Sequence, residues 1–192
     1  MLATWAALSS RRWSAQRTLP RSNKVQHVLG QIHIDSLVIV AYPDPILRRK
    51  CDPVETFDED LVRIVDRMRF LMHEQKGVGL AAPQVGLPFR FFVWNATGLP
   101  DDDRVSINPI LEDLKDQVEA EEGCLSLPEV TVQVKRASSL VLTAQTVDGS
   151  EYKMAGQGLA ARVCQHENDH LDGKLMIDHL SLLKRRLVHR SL

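Results

Sequence analysis

The stretch QHENDHLDG, residues 165–173, carries two histidines four residues apart with a glutamate directly after the first. On an α-helix that spacing puts both imidazoles on one face, one turn apart. His166 and His170 can then close on one divalent cation. Glu167 stands beside that cation, where a carboxylate can take a proton from a bound water. The same pattern on a solvated helix face would be chemically idle, so the reading depends on a further ligand.

A tetrahedral catalytic site needs three protein ligands and one open position. The metzincin continuation fails: Gly173 is in place, but position 176 is Met and His179 comes three residues too late. A thermolysin-like downstream glutamate fails too. The only acids after His170 are Asp172 and Asp178, both too close along the chain to reach back. The third ligand therefore comes from upstream. Cys164 lies two residues before His166, about 200° around a helix, and reads as small buried filler pointing away. Cys51 follows Arg48, Arg49 and Lys50 in what reads as surface loop. Cys124 sits in EEGCLSLP behind Gly123, which permits close backbone approach to a bound group, and is the candidate.

Several elements must position these residues. LVIV at 37–40 reads as a short buried strand, and YPDP at 42–45 as a turn in which both prolines bar helix. Leu61, Ile64, Val65, Met68, Leu71 and Met72 recur at helical spacing. Thr56 with Glu59 fits a capping box before that helix, Asp58 is the alternative cap, and Gly77 stops it. GVGLAAPQVGLP at 77–88 is punctuated as loop. FRFFVWN, VTVQVK and SSLVLTAQTV read as strands, and Asp148-Gly149 as a hairpin turn before EYKMA. A second helix is expected over 159–171 with Gly173 as its stop, and SLLKRRLV can form a short basic helix. Strands and helices are segregated, which gives an α+β class.

The 192 residues suffice for one domain with its own core, and 44% hydrophobic against 26% charged content marks a globular chain. No apolar run approaches the roughly 18 residues of a membrane span. Residues 1–34 hold five Lys+Arg and no acid, leaving 19 Lys+Arg against 25 Asp+Glu from Asp35 onward, about −6. That acidic balance gives no reason to expect nucleic-acid binding. The leader is Arg- and Ser-rich, the profile of a mitochondrial transit peptide; a basic tail with no address is the alternative. The expected organisation is a leader over 1–34 and a single catalytic domain over 35–192. Three irregularly spaced cysteines do not make a disulfide framework.

GVGLAAPQ at 77–84, EGCLS at 122–126 and QHENDHLDG at 165–173 resemble the three motifs of the peptide deformylases, in order and at typical separations. YPDPILR, INP and VKR extend the similarity over roughly residues 36–180. ARVCQHENDHLDG resembles the organelle branch most, Arg162 standing where many bacterial members have an apolar residue. Leu125 keeps the bacterial and plant type.

The resemblance implies small antiparallel sheets packed around a central metal-binding helix. It implies Cys124, His166 and His170 as ligands of one divalent ion, ferrous iron by family habit, with zinc, cobalt or nickel as substitutes. It implies Glu167 as general base, with Gln84 and the Leu125 backbone N–H as oxyanion donors. Val78 and Gly79 would pair with the substrate as an added strand. Gln84 could instead merely tie its loop. Val163 and Leu159 either line the methionine pocket or are core. Arg136, Asp169 and Asp172 orient loops or ligands, with Asp169 able to support a ligand histidine. The implied reaction removes the formyl group from N-terminal methionine of nascent polypeptides. Mitochondria initiate with formyl-Met, so the leader and the motifs agree on the mitochondrial matrix, near its ribosome, with a plastid as second choice. A metallopeptidase on the same ligands and an inactive metal-stabilised binding protein are the rival readings.

Overall fold

The computed structural model describes residues 33–189, so most of the basic leader lies outside the described residues. Helix α1, Glu59–Glu74, buries the six residues that the periodicity selected. Its cap is Asp58, whose carboxylate accepts from the Leu61 amide at 3.0 Å; the Thr56–Glu59 box is not the device used. The helix ends on Lys76 in the left-handed region (φ 55°), and Gly77 N–H then closes on the Met72 carbonyl at 2.8 Å. Gly77 matters for room: a Cβ there would lie 2.9 Å from Leu125 Cδ1.

Five antiparallel strands follow in simple meander order: β1 Gly79–Ala81, β2 Phe91–Trp94, β3 Arg104–Cys124, β4 Leu127–Gln145 and β5 Glu151–Gln157. The Asp148-Gly149 turn joins β4 to β5, with Gly149 at φ 84°. Helix α2, Leu159–Leu171, then crosses the strands, and α3, Leu182–His189, closes the described chain. Gly173 ends the α2 region at φ 71°; a Cβ there would meet the Arg48 carbonyl oxygen at 2.5 Å. One apolar cluster joins α1 to β1 and β2, and a second joins α2 to β2, β4 and β5.

The sheet is not equally broad along its length. β2 pairs only with Arg104–Ile107 of β3, and β5 only with Ser139–Gln145 of β4. Beyond those limits β3 and β4 continue as a two-stranded ribbon to the Cys124↔Leu127 pair at its tip. A ribbon of two strands is marginal by itself and must be anchored by side chains.

Four local expectations change. Residues 37–40 form no strand: Val38 is exposed and the Val40 N–H donates to the Gln84 carbonyl instead of to a ladder. Pro45 opens a 3₁₀ turn, Pro45–Arg48, where its missing N–H costs nothing and Asp44 caps it. The 77–88 segment is not all loop, since it contains β1 and a 3₁₀ turn, Ala82–Val85. VTVQVK and SSLVLTAQ are one strand, while β3 had no periodic pattern to announce it.

Candidate metal centre

The ribbon tip carries Cys124, and α2 carries His166 and His170. Their donor atoms lie within 4.8 Å of one another. Cys124 Sγ stands 3.3 Å from His170 Nε2, and the two imidazoles meet edge-on with centroids 5.1 Å apart. A thiolate and two imidazoles at such spacing match the donor set of a tetrahedral divalent centre with one vertex left for solvent or substrate. The residues therefore fit the ion that the helical spacing predicted. Among the described residues, this is the group of histidine, cysteine and acidic side chains so clustered.

Behind His166 lies a buried charge network. Glu122 Oε2 pairs with His166 Nδ1 at 2.9 Å, which fixes the ring so that Nε2 faces the cluster. Arg136 grips both Glu122 oxygens, at 2.8 and 3.0 Å, and Arg162 adds a bond of 2.7 Å to Oε1. Burial opposes the charge on Glu122, but the bonds from His166 and Arg136 prevail and hold its carboxyl well below the ordinary range. Arg136 also donates to Asp169 at 2.6 Å, and His179 meets the same Asp169 oxygen at 2.7 Å. Two guanidiniums thus face two carboxylates, which is how a protein tolerates charge at this depth. Burial, reinforced by the neighbouring His166, pushes His170 well below its usual value and keeps it neutral.

Glu167 is 4% exposed, and its Oε2 has no hydrogen-bond partner. Burial pushes its carboxyl up to about 7, with His166 and Arg136 pulling the other way. A carboxyl poised there can hold and release a proton near neutrality. The backbone of β1 runs close against it, because residue 79 has no side chain: a Cβ would lie 2.3 Å from Glu167 Oε1.

Gln84 ties its turn and also faces the sulfur. Its Oε1 accepts from the Ala81 amide at 2.8 Å, tying the turn, while Nε2 points to Ser126 Oγ at 3.3 Å and to Cys124 Sγ at 3.5 Å. Leu125 follows the sulfur ligand in the ribbon turn and packs on the α1 cluster. A cleft of about 590 Å³ opens onto these groups, lined by Val78, Gly79, Gln84, Leu125, Leu159, Arg162, Val163 and Glu167 among others. Val163 is buried in the α2 cluster as well as lining the cleft, so core and pocket are one position here. β1 is the outer strand of the sheet at the cleft, with its unpaired edge available.

The ligand, base, oxyanion and strand-pairing candidates, with Val163 and Leu159, converge on this cleft or its metal cluster, whereas Arg136, Asp169 and Asp172 do not. Cys164 is buried as expected. Cys51 is not on a surface loop: it is 4% exposed, and its amide donates to the Leu171 carbonyl at 2.9 Å. Asp169 does not touch a ligand histidine; Glu122 does. Glu122 and Ser126 begin and end the EGCLS motif, but nothing in the sequence assigned either a role, such as Glu122 as the partner of His166. Asp172 accepts from Arg90 at 2.7 Å and so pins the end of α2 to the start of β2.

A family model described as polypeptide deformylase matches residues 36–186. A peptide deformylase of Acidobacterium capsulatum is 45% identical over 156 residues, 80% of this chain and 92% of that protein. Peptide deformylase 1B, chloroplastic/mitochondrial, of Arabidopsis thaliana is 38% identical over 176 residues, 90% of this chain and 64% of that protein. The crystal structure of a peptide deformylase from Legionella pneumophila is similar with a TM-score of 0.78 and 40% identity, covering 80% of this chain and 91% of that one.

Proposed function

The chain belongs to the peptide deformylase family, and on that premise we propose that it deformylates the N-terminal methionine of polypeptides made inside an organelle, the mitochondrial matrix first and a plastid second. The acid-free leader supports the address, as does similarity to a chloroplastic/mitochondrial relative, although bacterial relatives are equally close. A reporter fused to residues 1–34 should enter mitochondria; retention in the cytosol would remove the organelle from the proposal.

The observation that carries the chemistry is the buried, unpartnered Glu167 oxygen beside the Cys124, His166 and His170 cluster. A divalent ion held by those three residues supplies the Lewis acidity that activates water and polarises the formyl oxygen. Thiolate and imidazole suit ferrous iron, zinc, cobalt and nickel alike, and iron is the native ion of this proposal. Glu167 takes the proton of the attacking water and delivers it to the departing amine nitrogen. The Gln84 amide and the Leu125 backbone N–H donate to the formyl oxygen as it becomes negative. The free edge of β1 at Val78 and Gly79 pairs with the substrate backbone as an added strand. Val163 and Leu159 receive the methionine side chain. Formate and a free N-terminus leave. The substrates are formylmethionyl nascent chains, met near the organelle ribosome.

The test compares formyl-Met, acetyl-Met and unblocked peptides by formate or acetate release and by peptide-bond cleavage. Only the formyl peptide should turn over, and equal turnover of all three would favour a general amidase. Replacing Glu167 by Ala should leave the ion bound and lower turnover by at least about 10²-fold. Full activity in that variant would end the assignment of the base.

A further inference from the structure

Arg162 stands one helical turn before His166, and its side chain is 13% exposed. Its guanidinium is directed at three acceptors of the ribbon. Nη1 donates to Glu122 Oε1 at 2.7 Å and to the Val134 carbonyl at 3.0 Å, and Nη2 donates to the Val118 carbonyl at 2.7 Å. Val118 and Glu122 lie on β3 and Val134 on β4, so one side chain of α2 grips both strands.

That grip falls where the fold needs it. The part of the ribbon that holds Cys124 has no third strand, since β2 and β5 pair only nearer its base. The sulfur ligand therefore sits at the end of a two-stranded projection, while the nitrogen ligands sit on a helix. Their spacing is kept by apolar packing of Leu127, Val132 and Val134 against Leu175, Met176 and Ile177, and by side-chain ties. Gln165 bonds both backbone groups of Ala137, at 3.0 and 2.9 Å, close to the base of the projection. Arg162, like His166, reaches Glu122, two residues from Cys124, and it alone of the two also holds backbone carbonyls of both strands.

We propose that Arg162 is a positioning residue that clamps the Cys124-bearing ribbon to the histidine-bearing helix and so sets how long the centre retains its ion. A planar guanidinium serves three acceptors at fixed angles, whereas a lysine ammonium is a point donor that cannot satisfy them together. The clamp is one of shape, not of charge alone.

The experiment uses the full chain loaded with cobalt, as wild type, Arg162→Met and Arg162→Lys. Cobalt release to excess chelator is followed by the thiolate-to-cobalt absorption band, beside thermal melting of the cobalt-free proteins. Both variants should release cobalt about 10–100-fold faster than wild type, the scale of losing an outer partner of a metal ligand. The absorption band should weaken or move, and Lys should not rescue Met. Should Arg162→Met fail to fold, Arg162→Lys and Arg162→Gln carry the same expectation. Unchanged release and an unchanged band overturn the inference, as does full rescue by Lys, which would reduce Arg162 to a charge. The inference rests on the metal-centre reading: a wild type that takes up no cobalt overturns both, whereas equal retention by wild type and variants overturns the clamp alone.

Discussion

Adding one methyl group at residue 79 should disable Glu167, the proposed general base, without touching it chemically. The β1 backbone at Gly79 is extended, so alanine meets no backbone strain there. The obstacle is Glu167. A Cβ would lie 2.3 Å from Oε1, 2.8 Å from Cδ and 2.9 Å from Cγ, whereas ordinary contact begins near 3.4 Å. The carboxylate must therefore retreat by about 1 Å, and Glu167 is buried with little space to do so. A 1 Å misplacement of a reacting group costs about 10²-fold in rate, or about 2.7 kcal/mol in the barrier. Overpacking adds a stability cost of about 1–3 kcal/mol. Formate release by Gly79→Ala should fall by that factor in kcat/KM while metal content stays at wild type. The Glu167→Ala background isolates the clash: with the carboxylate gone, Gly79→Ala should cost less than about 0.5 kcal/mol of stability, because the two changes are coupled. Activity within threefold of wild type, or the same stability loss in both backgrounds, would refute the reasoning.

Other expectations are as direct. Burial pushes the Cys51 and Cys164 thiols up to about 12, so at pH 8 only about one part in ten thousand is ionised. Iodoacetamide should label neither until the protein unfolds, while chelation should expose Cys124; mass analysis reads all three, and native labelling of Cys51 would contradict its packing. Glu122→Gln leaves two buried guanidiniums, Arg136 and Arg162, short of a countercharge. It should cost about 3 kcal/mol of stability by denaturant melts, as expected for breaking a buried pair, and should weaken metal binding about tenfold or more. Asp178 is held below its ordinary value despite some burial, through its bonds from Arg48 and the Leu175 amide. Its depressed folded value means that its contribution is present above the ordinary aspartate range and is lost as pH falls through the folded value. Asp178→Asn should flatten the acid limb of thermal stability, and an unaltered limb would show that the pair contributes nothing.

The helical half of the candidate centre was legible because His166 and His170 sit one turn apart, with Glu167 beside them, by geometry alone. Helix α1 was equally plain, since its apolar stripe has one period throughout. What stayed hidden is where tertiary partners, not local pattern, decide. The ribbon part of β3 is charge-rich and exposed at most positions, Val118 included, because no third strand covers it, so it read as no half-buried strand. Residues 37–40 look like a strand from composition but find a turn carbonyl as their partner. Glu122 acquires its role only when Arg136, Arg162 and His166, all distant along the chain, arrive around it. Cys51 was misplaced for the same reason: its basic neighbours suggested a surface, while the carbonyl at the end of α2 drew its backbone inward.

The sulfur and the farther imidazole that meet at 3.3 Å are separated by 46 positions of sequence. During synthesis the thiol is added well before its nitrogen partners, so a chain stopped between them is inert however well its first part has collapsed. A protease cut anywhere between residues 125 and 165 would leave one piece with a lone thiol and the other with two rings. An ion seated there would join the two pieces across the cut, and a nicked molecule should stop working once its ion is stripped away.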